Sequence, residues 1–191
     1  MKEPKIFIIS GSVGAGKDTI LRQLKQKRDD LYWAITTTSR KPRSGEIEGQ
    51  SYYFISPEKF RELINRDAFF EYENVYADKY FGMTRKEINK ALQENKNIIW
   101  QIDYRGYNTI KDKLGGRIVS IFILPPSLEI AKKRIQKRSR ENKAFIEERL
   151  ELAKKEIEAS KNYDYRVINK EDQLDKAVEE ILKIIDKEIK N

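Results

Sequence analysis

Gly11, Gly14, Gly16 and Lys17 are spaced as G-x-x-x-x-G-K within ISGSVGAGKDTI, residues 9–20. A turn of this composition lets successive backbone N–H groups converge on one anion at the start of a helix, and the lysine adds a mobile positive charge. The apolar run Ile6, Phe7, Ile8, Ile9 precedes it and a helix-like pattern follows, the strand–loop–helix setting that a phosphate-binding loop requires. Ser12, Val13, Ala15, Asp18 and Thr19 fill the other places. Asp18 stands where such loops carry a magnesium-binding Ser or Thr, with Thr19 one place later. The plain alternative is a glycine-rich turn with no ligand.

A second group of anion-binding candidates lies in TTTSRKPRSGEIEGQSYYF. Arg40 and Arg43, three apart and held by Pro42, can fork around one phosphate, because a planar guanidinium favours bidentate contacts. Gly45 and Gly49 turn the chain and present the Tyr52 hydroxyl to the same anion. Taken alone, a solvated basic loop explains these residues equally well. Further along, Arg134 and Arg138 are four apart on one helical face, and Arg149 lies on the next helix. Lys132, Lys133, Lys137 and Arg140 nearby read as solvated surface.

Composition narrows the chemistry. The 191 residues contain no Cys and no His, which removes disulfides, thiolate and imidazole catalysis and the usual zinc sites. Phosphoryl transfer suits what remains, since it depends on placing charge more than on shuttling protons. Lys and Arg exceed Asp and Glu by 39 to 31, a net +8, which favours an anionic partner or reflects a lysine-rich surface. No apolar run approaches membrane-spanning length and MKEPKIF lacks the features of a secretory signal, so a cytoplasmic protein is expected.

The elements needed to position these residues are legible as an α/β pattern. Apolar runs at Lys5–Ser10, Asn97–Asp103, Arg117–Leu124 and Tyr165–Asn169 do not alternate and predict buried parallel strands. Helical patterns cover Lys17–Arg28, Tyr107–Lys113, Ser127–Arg138, Asn142–Ser160 and Glu171–Ile189, with Ser127 as an N-cap. Alternation of the two predicts one domain with a core parallel sheet flanked by helices. Between Trp33 and Tyr80, short aromatic strands bounded by Gly and Pro predict a small antiparallel excursion. Within it, Ser56-Pro57 starts a helix, and Thr84 to Glu87 matches a capping box that returns the chain to the core.

The order of the phosphate loop, TTSRKPRSGEIEGQSYYF, FFEYENVY, YFG, IDYRG, IFILPPS, the arginine-bearing stretch and RVIN resembles the guanylate kinase family over nearly the whole chain. The resemblance implies a P-loop nucleoside monophosphate kinase fold. Its parts would be a core (1–32, 85–126 and 150–191), an inserted GMP-binding region (33–84) and a lid (127–149). It implies transfer of the γ-phosphate of ATP to GMP, and to dGMP as well. Mg²⁺ would accompany the ATP, and the protein would be a monomer or homodimer that binds neither nucleic acid nor membrane. By position, Gly11 to Thr19 and Asn169 would bind ATP, and Lys17, Arg134, Arg138 and Arg149 would act on the transferring phosphoryl. Arg40, Arg43 and Tyr52 would hold the GMP phosphate, Thr36 and Glu71 would reach the guanine, and Asp103 is the second acid of the family's D-I-D segment. A carboxylate at Glu71 accepts from both N1–H and the 2-amino group of guanine, for which adenine has no matching donors. The bland alternative for Glu71 is a strand residue facing solvent.

Four positions depart from the family pattern. Asp18 replaces the hydroxyl that binds magnesium, Gln101 the first acid of D-I-D, Phe81 a tyrosine that donates to the GMP phosphate, and Met83 a Ser or Thr that donates toward guanine O6. Tyr80 is adjacent to Phe81, the Glu71–Gly82 segment is one residue longer than usual, and Thr84 could supply the hydroxyl that Met83 lacks. One lost donor of this kind costs about 0.5–1.5 kcal/mol, too little to abolish binding. A kinase with a shifted purine acceptor and a phosphate-binding module of the same fold therefore stand as alternatives.

Overall fold

The computed structural model describes residues 3–76, 78–114, 117–138 and 143–191. The strands are β1 (Ile6–Gly11), β2 (Tyr32–Trp33), β3 (Thr37–Thr38), β4 (Tyr53–Phe54), β5 (Phe69–Tyr76), β6 (Lys79–Thr84), β7 (Ile98–Gln101), β8 (Ile118–Leu124) and β9 (Tyr165–Ile168). The helices are α1 (Lys17–Lys27), α2 (Pro57–Asn65), α3 (Arg85–Gln93), α4 (Tyr104–Leu114), α5 (Leu128–Arg138), α6 (Lys143–Ala159) and α7 (Leu174–Lys190). The larger sheet orders its strands β2-β7-β1-β8-β9, and the pairs β2–β7 and β8–β9 are parallel. All four expected core strands are present. β2, an edge strand of two residues, is one that the sequence pattern does not reveal.

The chain divides into two compact units. One comprises Met1–Ile6, Asp30–Gln101 and Arg105–Ile118. It contains the four-stranded sheet β4-β3-β6-β5, in which β6 runs antiparallel to both neighbours. β3 and β4 are parallel, so the sheet is mixed rather than the antiparallel excursion expected from sequence. Aromatic stacking fixes α2 against it: Phe60 lies 4.3 Å from Phe69 and 5.1 Å from Tyr80, ring centre to ring centre. Ser56 caps α2 by accepting from the Lys59 N–H at 3.1 Å, and Pro57 opens the helix. β5 carries one residue more than β6 at each of two register shifts, between Phe69 and Glu71 and between Asn74 and Tyr76.

The second unit comprises Phe7–Asp29, Ile102–Tyr104 and Val119–Asn191. β1 and β8 are apolar on both faces, with Phe7, Ile8, Ile9, Ile121, Phe122 and Ile123 at most 1% exposed. α7 lays Ala177, Val178, Ile181 and Ile185 on this core, while α1 adds Ile20 and Leu24. A short hydrogen-bond chain secures the end of β1: Tyr163 donates to Ser10 Oγ at 2.8 Å, and Ser10 donates to the Ile102 carbonyl at 2.7 Å. That end is where the phosphate loop begins.

Candidate active site

In the second unit the loop from Gly11 to Lys17 is held from outside by its carbonyls. Arg134 on α5 donates to Gly14 O at 3.2 Å, to Ala15 O at 3.4 Å and to Asn169 O at 3.0 Å. Asn169, just past β9, donates its side-chain amide to Ala15 O at 2.8 Å. Because a peptide unit is planar, drawing the Ala15 carbonyl outward turns the Gly16 N–H the opposite way. The first N–H groups of α1 have no intrahelical partner either, so the arrangement presents an anion-binding nest. On the side of the loop held by Arg134 and Asn169 lies a pocket of about 300 Å³, lined also by Gly14, Gly16, Thr19 and Leu174.

Two glycines here are obligatory. Gly14 has φ +79°, and a Cβ there would sit 2.8 Å from the Ala131 carbonyl oxygen of α5. Gly16 has φ +83°, and its Cβ would come 2.5 Å from Asn169 Nδ2. Gly14→Ala should therefore lower stability by about 1–3 kcal/mol in urea unfolding. It should also weaken binding of a polyphosphate at the loop at least about tenfold, read by calorimetric titration, since the loop must move off α5.

Lys17 is half-buried, and burial pushes its ammonium pKa down while Asp18, Glu156 and Asp103 pull it up. Asp18 is exposed and pairs with Lys17 at 3.3 Å. Arg149 on α6 stacks on Phe145, 5.1 Å from the ring centre. The side chain of Arg138, and the whole of Arg140, lie outside the described residues.

In the first unit, Arg40 sits among Tyr52, Phe54 and Phe81, at 4.9, 5.7 and 5.9 Å from their ring centres. Its guanidinium is bidentate to Glu46, with one contact at 2.6 Å. Glu46 also accepts from the Arg43 backbone N–H at 2.7 Å, while the Arg43 side chain is exposed. The Arg40 pairing first, then the Arg43 N–H, hold the Glu46 carboxyl down at about 2. Since that lies below the ordinary value of 4.5, the pairing stabilises the fold fully above pH 4.5 and is lost as pH falls toward 2. The structure thus brings Arg40, Tyr52 and Phe81 together.

Glu71 on β5 is buried, 8% exposed, and pairs in register with Met83 of β6, which is fully buried. The solvent-facing alternative for Glu71 does not hold. Thr84 pairs opposite Phe69, and its hydroxyl accepts from the Glu87 N–H at 3.2 Å to cap α3. Its oxygen is thus engaged as a cap acceptor at the end of β6, one place beyond Met83. Tyr80 stacks on Phe60 and reaches toward Asp78, so it does not take over from Phe81. Strand alternation places the two neighbours on opposite faces.

The guanylate kinase family model matches residues 3–188. A guanylate kinase of Porphyromonas gingivalis is 43% identical over 182 residues, covering 95% of this chain and 96% of its own length. One from Caldanaerobacter subterraneus is 41% identical, covering 96% and 87%. Among solved structures, guanylate kinase from Anaplasma phagocytophilum superposes with a TM-score of 0.78 at 26% identity, covering 97% of this chain and 86% of its own. The chain belongs to the guanylate kinase family.

Three carboxylates of this family member escape a reading by motif. Glu46 falls inside TTSRKPRSGEIEGQSYYF, yet only the fold shows that it holds Arg40. Glu87 was expected to reach back within a capping box. Instead it accepts from Tyr32 OH at 3.0 Å, the Ile35 N–H at 3.0 Å and Tyr53 OH at 3.4 Å, fixing the backbone next to Thr36. The third, Glu156, accepts from the loop at Val13. Its signal was a charged residue on the buried stripe of α6, with Ala153.

Glu46→Ala should raise the KM for GMP about tenfold, the worth of one hydrogen bond between charged groups, and leave the KM for ATP within about twofold. Steady-state titration of each substrate in turn checks this.

Proposed function

We propose that the chain catalyses transfer of the γ-phosphate of ATP to GMP, giving ADP and GDP, with dGMP as a second acceptor. One observation carries this reading: an intact phosphate loop with Lys17 lies in a chain matched along residues 3–188 by the family. A phosphate-binding module has no need of that loop.

The loop from Gly11 to Thr19 takes the triphosphate through its N–H groups, and Lys17 follows the charge as it moves from donor to acceptor. Arg134 and Asn169 hold the loop's carbonyls and line the pocket beside it, the place we assign to the adenine. Arg138 and Arg149, in a lid over 127–149, neutralise the transferring phosphoryl. Arg40, Arg43 and Tyr52 hold the GMP phosphate in the 33–84 region, with Phe81 packed against Tyr52. Glu71 and Thr36 read the guanine, Met83 fills the space beside Glu71, and Asp103 lies near Lys17. The core over 1–32, 85–126 and 150–191 carries both regions. The acceptor phosphate is already an anionic nucleophile at neutral pH, so a chain without histidine suffices. Exclusion of water keeps ATP from being hydrolysed.

Mg²⁺ binds nucleotides through phosphate oxygens, water and one or two carboxylates, so a single protein carboxylate can suffice. Asp18, exposed at the start of α1, fits that requirement. It would hold Mg²⁺, which would neutralise charge on the β- and γ-phosphates. We place the protein in the cytoplasm as a monomer or homodimer, without a nucleic-acid partner. Among the described residues no helix is long and apolar enough to cross a membrane.

A coupled assay of ADP release with ATP, Mg²⁺ and GMP, dGMP, AMP, CMP or UMP in separate reactions tests the reading. Turnover confined to GMP and dGMP is expected. Turnover of another acceptor alone would overturn the role of Glu71, and no turnover with any acceptor would overturn the kinase.

A further inference from the structure

The functional reading leaves one buried carboxylate beside the phosphate loop without a task. Glu156, on α6, is 8% exposed, and its Oε2 accepts from the backbone N–H of Val13 at 2.7 Å. Val13 stands between two anchored residues. The Ser12 N–H donates to Ile123 O at 3.2 Å, and Gly14 is pressed on Ala131 in a left-handed conformation. Arg134 and Asn169 hold the following carbonyls. Glu156 thus adds a side-chain fastening on a loop N–H, where Arg134 and Asn169 hold loop carbonyls.

A buried charge beside an anion site needs a reason, because an isolated one is costly and repels the ligand. The groups that bear on it are Lys17 at the head of α1, Asp103 ahead of α4, and Arg149, two turns earlier on α6. Burial first, and the neighbouring Asp103, push its carboxyl up to about 7, against the pull of the Val13 N–H, Arg149 and Lys17. A carboxyl that gains a proton there still offers a carbonyl oxygen to Val13, so the fastening survives neutralisation. Loss of the acceptor would leave the Val13 N–H unsatisfied and the loop free to reorganise before it meets a triphosphate.

We propose that Glu156 is a positioning residue for the phosphate donor: by holding the Val13 N–H it sets the shape of the loop that the polyphosphate of ATP enters. This rests on the reading that ATP occupies the loop, and the role is exerted on donor affinity and not on the acceptor. An amide at this position keeps an oxygen for Val13, whereas alanine removes it.

Calorimetric titration of ATP and, separately, of GMP into the full-length wild type, Glu156→Ala, Glu156→Gln and Lys17→Ala tests the proposal. Glu156→Ala should weaken ATP binding about tenfold, the worth of one charge-assisted hydrogen bond. Glu156→Gln should stay within about threefold of wild type, and GMP affinity should be unchanged in both. Lys17→Ala marks the site: if it binds ATP like wild type, the reading of the loop itself fails. If Lys17→Ala weakens ATP and folded Glu156→Ala does not, the role of Glu156 is overturned. Equal loss of ATP and GMP in Glu156→Ala would also overturn it, by showing a general structural defect. Should Glu156→Ala not fold, Glu156→Asp, one methylene short of Val13, takes its place with the same expected loss, and wild-type ATP affinity in that variant would refute the proposal.

Discussion

Lys17→Ala lowers kcat/KM by about 10²–10³-fold or more, the loss expected when a pre-aimed donor is removed from a developing anion. The ammonium lies half-buried at the head of α1, where burial lowers its pKa and the carboxyl groups of Asp18, Glu156 and Asp103 pull the other way. A cation so placed is partly stripped of water before the substrate arrives, so little reorganisation accompanies charge transfer. Removing it relieves desolvation while leaving its carboxylate neighbours less compensated. These effects oppose each other, and stability should change by less than about 1 kcal/mol. GMP affinity should be unaffected. Lys17→Arg should not restore activity, because a planar fork cannot follow a moving point of charge within a tight loop. Single-turnover kinetics with thermal melts separates loss of function from loss of fold.

Glu71→Gln carries the second largest effect. A carboxylate there accepts two hydrogen bonds from guanine. The amide accepts one and turns a donor toward a donor. At about 1.5–3 kcal/mol for each charge-assisted bond, kcat/KM for GMP should fall at least about a hundredfold, with the KM for ATP unchanged. The position is 8% exposed and faces the fully buried Met83, so water cannot stand in for the missing acceptor. Discrimination against AMP should collapse to the same degree, because it rests on donors that adenine lacks. Competition between GMP and AMP in one reaction measures this. Undiminished discrimination in the variant would remove Glu71 from base reading.

What could be read in the sequence was local. The loop, its strand and its helix are contiguous, so glycine spacing and apolar runs were enough to place β1, Lys17 and α1. The caps at Ser56 and Thr84 were equally visible, since each pairs a hydroxyl with an N–H three residues on. What was not legible depended on contacts distant in sequence. β2 has two residues, too few for a periodicity. β3 and β4 are as short, and their parallel pairing depends on how the Arg40–Tyr52 stretch brings the chain round. Glu87 carried a correct capping pattern, but Tyr32, Ile35 and Tyr53 attract its carboxylate more strongly than its own cap. Asn169, expected to bind ATP, also uses its amide to fasten Ala15, 154 residues away in sequence. Arg134, expected on the phosphates, contacts the backbone of the loop that receives them.

The most direct test of the account is to follow the phosphoryl group itself. ATP labelled in its γ-phosphate is incubated with the protein, GMP and Mg²⁺, and the products are separated. Label is expected in the β-phosphate of GDP, with ADP formed in equal amount. Label released as inorganic phosphate while GMP stays unconsumed would contradict it.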